Sequence, residues 1–341
     1  MSRSITYAEA IKEATTQLME RDKSVYLMGE GVDDFRGLWG TTNGLVHVFG
    51  RDRVVDIPLS ENGMTGIALG TAAMGYRPIF THQRIDFMLM GMDSLCNHAA
   101  KYHQMTGMTK KAPLTIRAII GKGWGQSFQH AQSYYPIFAH FPGIKIVAPV
   151  TPYEAKGLLT AAVLDDDPVI VLEARGLYGD VGVVPEEFYT IEIGTADIVK
   201  DGRDLTLVGI SYMTKEIMDS VAALEADGIS VEIINLRSLK PVDLETIRKS
   251  VSKTGNLAIA DISWECCSFA RDIASQILDT HFTQLERPPL CLTLPDEYVG
   301  ASSQHEAHYY IDKHKLRHRV LDWWNRGLDS GGHISGKYYR N

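Results

Sequence analysis

The sequence lacks a long apolar run: no uninterrupted stretch reaches the ~20 residues needed to span a bilayer. The opening MSRSITYAEAIKEATTQLMERDKS has no apolar core of signal-peptide length and is expected to form an amphipathic helix. Cysteine is scarce. The four residues, Cys96, Cys266, Cys267 and Cys291, form neither a disulfide framework nor a CxxC pair. Adjacent Cys266 and Cys267 cannot bridge each other without strain, so buried thiols in a reducing interior are the expectation. Twelve histidines are scattered without an HExxH pattern, which argues against a zinc site. Basic stretches with interleaved aromatics are missing as well. Lys and Arg number 34 against 42 Asp and Glu, a net charge of -8, which turns the surface away from nucleic acid and anionic membrane. The run GKGWG fails the GxGxxG spacing and lacks the Lys-Ser/Thr ending of a P-loop. These absences suggest a cytoplasmic protein, with bacterial cytosol and organelle matrix not distinguished.

What is present is ordinary globular material, 45% apolar and 22% charged. At ~150 residues per domain the chain suggests two domains. Short β-rich runs at 24–30, 53–59, 77–82, 113–120, 144–149 and 168–173 alternate with helical patterns at 64–75, 87–104 and 151–165. Thr151 followed by Pro152 fits an N-cap with proline at the first helical position. Such alternation predicts an α/β fold with a parallel sheet covered on both faces. A Gly- and Pro-rich break at 176–194 reads as a linker, after which the alternation resumes. The expected organisation is a first domain over 1–185, a second over 195–325 and a loose tail over 326–341.

In open α/β sheets ligands bind beyond the carboxyl ends of strands, which directs attention to IPLSENG, THQRIDF and GKGWGQSFQHAQS. Glu61 stands between an apolar strand and a glycine-rich helix start. It can cap that helix, or it can be a desolvated carboxyl group used as an acid or base. His130 follows a glycine-rich turn that permits close approach to a ligand. A satisfied polar histidine is the plainer reading.

The ordered set PLSENGMTGIALGTAAMGYRPI, DF…MDSLCNHAAKY, IRAIIGKGWGQSFQHAQS, PGIKIVAPVTPYEAKGLL and DDDPVIVLEARGLY resembles one family across roughly residues 4–325. It is similar to the beta subunits of thiamine-diphosphate-dependent decarboxylating components of 2-oxo acid dehydrogenases, the pyruvate, branched-chain and acetoin enzymes among them. The resemblance implies a pyrimidine-binding domain of transketolase type followed by a transketolase C-terminal domain. It implies that Glu61 is the cofactor-activating glutamate, which hydrogen-bonds the aminopyrimidine ring and favours the imino tautomer that deprotonates the thiazolium carbon. Phe87 matches an aromatic residue packed on the pyrimidine, with an ordinary core phenylalanine as the alternative. His130 matches a histidine that handles the 2-oxo acid or the acyl group, while Glu30 and Gln83 match less defined positions near the cofactor. Leu114, Thr115, Ala162, Asp165 and Asp167 fall where the family binds a monovalent cation such as K⁺, although a solvated acidic turn suits DDDP equally.

The family anchors the cofactor's diphosphate through Mg²⁺ with a GDG motif followed by Asn, and this chain has no such motif. The resemblance therefore implies an alpha subunit carrying GDG…N, an alpha/beta pair doubled into a heterotetramer, and docking on a lipoyl acyltransferase core. The chain departs from the family at several places: Trp124 stands where a small residue is usual, Thr81-His82 where an acidic-aromatic pair is common, and DISWECCSFARDI replaces an HE…GGF segment. These departures leave two alternatives open, a subunit of a split transketolase-like two-carbon transferase and a non-catalytic regulatory paralogue.

Overall fold

The computed structural model describes residues 3–34, 36–122 and 125–326. In chain order the strands are β1 (Arg3–Thr6), β2 (Val25–Gly29), β3 (Val54–Asp56), β4 (Arg77–His82), β5 (Thr115–Ile120), β6 (Lys145–Val147), β7 (Val169–Ala174), β8 (Val181–Val184), β9 (Asp197–Lys200), β10 (Leu205–Gly209), β11 (Val231–Asn235), β12 (Ser238–Lys240), β13 (Leu257–Trp264) and β14 (Leu290–Leu294). The helices of seven residues or more are α1 (Tyr7–Arg21), α2 (Glu61–Ala73), α3 (Pro152–Leu164), α4 (Tyr212–Ala226), α5 (Leu244–Thr254), α6 (Phe269–His281), α7 (Ser303–Tyr309) and α8 (Lys313–Asn325). Two compact units result. One holds the described residues up to Thr195 with Arg237–Val242 and Tyr298–Glu306; the other holds Ala196–Leu236, Asp243–Glu297 and the described residues from Ala307 onward.

The first unit is built on a seven-stranded sheet in the order β12-β6-β7-β5-β4-β2-β3, parallel except for β12 at its edge. Strands β5 and β7 are buried along their whole length, as continuous apolar runs in a two-sided parallel sheet require. Helix α1 packs against α3. Each begins with a reciprocal capping box, Thr6 with Glu9 and Thr151 with Glu154, and Pro152 takes the first helical position. The segment read as a linker carries β8, which pairs antiparallel with β1. The single helix expected over 87–104 is instead a chain of short α, 3-10 and π turns from Ile85 to Met105. Gly91 packs there so closely that a Cβ would lie 2.5 Å from the Thr65 hydroxyl oxygen.

The second unit carries the sheet β14-β13-β10-β11-β9, parallel apart from the edge strand β9. All four cysteines are free, but only Cys96 is buried; Cys291 is half-buried, and Cys266 and Cys267 are exposed. The expectation of buried thiols fails for that pair because they occupy the turn between β13 and α6.

Candidate active site

Strands β3 and β4 flank β2 on opposite sides. This reversal of direction opens a crevice at the carboxyl ends of a parallel sheet. Residues at and just past the three strand ends, Glu30, Ile57, Glu61, Phe80, Thr81, His82, Gln83 and Phe87, line a cavity of about 10 Å³ there. That is the lower limit for one water. Four residues singled out from the sequence (Glu30, Glu61, Gln83 and Phe87) thus meet at one wall.

Glu61 is the first residue of α2 and is 6% exposed. Its carbonyl accepts a 2.6 Å hydrogen bond from the Thr65 hydroxyl, but among the described residues nothing donates to its carboxylate. Ser60 supplies no side-chain cap either. The capping alternative for Glu61 is therefore not realised. Glu30 lies across the same cavity, its carboxyl pushed up first by burial and then by the negative charge of Glu61 and Asp56. Gln83 holds the turn by donating 3.1 Å to the Glu30 carbonyl, and Asp56 accepts 2.7 Å from the Gly31 amide.

His82 was legible only as a departure from a pattern, and the structure gives it a place on the cavity wall. It is 2% exposed, and its Nε2 has no hydrogen-bond partner among the described residues. Burial pulls its pKa down to about 3, so the imidazole is neutral across the working range of most enzymes. The neighbouring Thr81 hydroxyl is likewise buried without a partner. A signal was available in RPIFTH. Period-two alternation puts His82 on the same face as Phe80, and the two rings sit 4.3 Å apart.

His130 does not line the cavity. It is half-exposed, and its ring meets Phe87 edge-on with centroids 5.1 Å apart, one ring away from the carboxylates. Its loop turns through the left-handed conformations of Gly125 (φ +73°) and Ser127 (φ +69°). The buried Arg84 ties the loop down, donating 3.3 Å to the Gly121 carbonyl and bonding the Gln126 side chain. Next to Arg84, burial raises the Asp86 carboxyl to about 6. Trp124 lies outside the described residues.

The five residues expected around a monovalent cation also come together, at the start of β5, the end of α3 and the turn before β7. Their oxygens already take part in hydrogen bonds and ion pairs within the chain. The Thr115 hydroxyl donates 3.1 Å to the Ala162 carbonyl, and the Leu114 carbonyl accepts from the Val169 amide at 3.0 Å. Lys145 pairs with Asp165 at 2.7 Å, and Lys111 with Asp167 at 3.0 Å. Among the described residues no group of three His, Cys, Asp or Glu side chains is placed to hold a metal ion. No helix among them is long and apolar enough to cross a membrane.

Comparison with known proteins adds the following. Residues 3–180 match the family model of the transketolase pyrimidine binding domain, and residues 194–316 that of the transketolase C-terminal domain. The chain is 39% identical to the acetoin:2,6-dichlorophenolindophenol oxidoreductase subunit beta of Cupriavidus necator, over 89% of this chain and 96% of that one. It is 38% identical to the pyruvate dehydrogenase E1 component subunit beta of Bacillus subtilis, over 91% and 95%. Among solved structures, a split-gene transketolase in an inactive beta4 tetramer superposes with a TM-score of 0.76 at 19% identity, covering 94% of this chain and 98% of that one. At that identity the likeness concerns the fold.

Proposed function

The chain belongs to the family of E1 beta subunits of thiamine-diphosphate-dependent 2-oxo acid dehydrogenases, and from that premise we propose that the cavity at β2, β3 and β4 is the pyrimidine-facing half of its active site. The observation that carries this reading is the buried Glu61 carboxylate with no donor of its own, facing Phe87 and Gln83 across one cavity. A buried polar group without a partner is costly unless a ligand supplies one. The unpartnered Nε2 of His82 and hydroxyl of Thr81 fit a polar ligand at the same wall.

When bound, thiamine diphosphate supplies the carbanion-stabilising chemistry by which a 2-oxo acid is decarboxylated. Glu61 would hold the hydrogen bond that orients the pyrimidine ring and moves its proton. Phe87 would pack on the ring face. Glu30, whose carboxyl is pushed up by burial and by the nearby Glu61 and Asp56, would share the pyrimidine side of the cavity with Glu61. His130, set edge-on to Phe87 from a tethered loop, would hold or deliver a proton on the substrate side. The remaining half of the site, with the Mg²⁺-bound diphosphate, belongs to the alpha subunit in this reading, through a GDG…N motif this chain lacks. An alpha/beta heterotetramer in a cytosol or organelle matrix follows, with a lipoyl acyltransferase core as a further partner. A K⁺ ion at the Leu114–Asp167 corner would draw on the Leu114 and Ala162 carbonyls and the Thr115 hydroxyl. Lys111 and Lys145 already supply positive charge there, so folding of that corner does not require it.

The transferase alternative rests on likeness of fold, whereas the dehydrogenase reading rests on about 38–39% identity over nearly the whole chain. The test is reconstitution with an alpha-type E1 subunit that carries the GDG…N motif, supplied with thiamine diphosphate and Mg²⁺. Decarboxylation of a 2-oxo acid or cleavage of acetoin, dependent on both chains, is the expected result. Two-carbon transfer from a ketose to an aldose without any such activity would overturn the reading.

A further inference from the structure

Cys266 and Cys267 take no part in the site above, yet the fold displays them in a particular way. Consecutive side chains of an extended segment point to opposite sides. Here Cys267 adopts a left-handed conformation (φ +54°), the alternation is broken, and the two exposed sulfurs come within 3.9 Å of each other. The turn that carries them is pinned on both flanks. Glu265 donates its amide 2.9 Å to the Leu294 carbonyl, and Trp264 Nε1 donates to the Glu297 carbonyl at 2.9 Å and the Tyr309 hydroxyl at 2.7 Å. Beyond the pair, Ser268 caps α6 by accepting from the Arg271 amide, while Arg271 donates 3.1 Å to the Glu265 carbonyl and ion-pairs with its carboxylate. A dithiol held this way has lost part of its freedom before anything binds.

The distances decide what such a pair can take. A disulfide needs sulfurs about 2.05 Å apart and Cα atoms at least about 4.4 Å apart, whereas neighbouring Cα atoms across a trans peptide are about 3.8 Å apart. Two sulfurs bonded at about 2.3 Å to one centre lie roughly 3.3 Å apart at the near-right angle of a pyramidal centre and roughly 3.8 Å apart at a tetrahedral one, so this pair, 3.9 Å apart, reaches a pyramidal centre by closing about half an ångström. Because no third His, Cys, Asp or Glu among the described residues joins them, a closed zinc site is not formed. The centre must bring its own further substituent, and paired thiolates select soft ones.

We propose that Cys266 and Cys267 form a bidentate capture site for a soft, thiophilic centre that carries its own third ligand, the chemistry of a trivalent organoarsenical. In the capture step a dihydroxyarsine R–As(OH)₂ exchanges its two As–O bonds for two As–S bonds. Each thiol proton leaves with a hydroxyl as water, two waters in all, and arsenic stays trivalent, so no oxidant or reductant is consumed. Cys266 donates its S–H toward Cys267, which leaves the Cys267 sulfur as the first to attack.

The test uses the full chain and phenylarsine oxide, read by intact mass and peptide mapping. The expected result is one phenylarsenic group per chain, mapped to the peptide holding both cysteines, kept in excess glutathione and released by 2,3-dimercaptopropanol. Cys266→Ser and Cys267→Ser should each weaken retention by about a hundredfold, since the second bond is then no longer intramolecular. Cys291→Ser should leave it unchanged. Equal retention by either single-thiol variant, or an adduct mapping to Cys96 or Cys291, would overturn the proposal.

Discussion

Two buried glutamates begin helices in the same unit, and they are used in opposite ways. Glu154, the third residue of α3, is 3% exposed, and its carboxylate accepts from the backbone amides of Val150 at 2.9 Å and Thr151 at 3.2 Å. Glu61, the first residue of α2, is 6% exposed, and its carboxylate accepts from nothing among the described residues. Both sit where a helix dipole favours negative charge. One is spent on the fold; the other is free for a ligand. The contrast extends to their surroundings, because the acidic corner of Asp165 and Asp167 is closed by Lys145 and Lys111, whereas His82 and Thr81 beside Glu61 are buried without partners. Burial of a polar group is therefore not what sets this wall apart; the meeting of the Glu61, Thr81 and His82 side chains around one cavity, without hydrogen-bond partners among the described residues, is.

The comparison can be sharpened first at His82. Its folded pKa, about 3, lies below the ordinary histidine value of 6.5, so its contribution to stability is complete above pH 6.5 and is lost as pH falls toward 3. Between pH 6.5 and 4.5 the native chain should lose about 2–3 kcal/mol that His82→Phe does not lose, read from urea midpoints at the two pH values. Equal slopes would mean that His82 is solvated or paired.

On the structural side, Glu154→Ala should cost about 2 kcal/mol, because two backbone amides at a buried helix start lose their acceptor. Turnover of the reconstituted enzyme should stay within about twofold, since Glu154 is remote from the cavity lining. A smaller effect of opposite pH sense is expected at Asp86. Its carboxyl is raised to about 6 from 3.8, so its contribution is present below pH 3.8 and is lost as pH rises through 6. Asp86→Asn should stabilise the chain at pH 7 by about 1–2 kcal/mol, less than the whole shift because the nearby Arg84 charge favours the carboxylate. Between pH 4 and 6 the two groups oppose each other, so only the separate variants reveal either slope.

The smallest effect belongs to the lysine-closed corner. Lys145→Met should cost about 1 kcal/mol or less, as partly exposed ion pairs do. Replacing potassium with choline in the buffer should leave the melting temperature unchanged. A large loss on potassium removal would show that the Leu114, Thr115 and Ala162 oxygens hold an ion after all.

Much of this arrangement was legible in the sequence. Six strand runs from 24 to 173 matched β2 to β7 because parallel strands buried on both faces read as unbroken apolar stretches. Thr151-Pro152 announced the start of α3 through local capping chemistry alone. What stayed hidden depended on partners distant in the chain. Strands β8 and β12 are short edges recruited by β1 and β6, and the broken helix around Gly91 follows from its approach to Thr65. Glu61 shows the same limit. Residue type and position could not separate a cap from a catalytic carboxylate, and the missing donor in three dimensions removes only the cap. The family resemblance singled out Glu30, Gln83 and Phe87; alternation in RPIFTH pointed to the face His82 occupies, but its lack of a partner had no counterpart in any pattern.

The most direct test sets the two glutamates against each other in one experiment. Glu61→Gln and Glu154→Gln are each reconstituted with the alpha-type partner, and turnover of a 2-oxo acid is measured alongside the melting temperature of the free chain. The account predicts that Glu61→Gln lowers turnover by about a thousandfold with melting unchanged or slightly raised, and that Glu154→Gln lowers melting with turnover nearly intact. Turnover that survives Glu61→Gln, or melting that falls with it as it does for Glu154→Gln, would contradict the claim that this carboxylate is held free for a ligand.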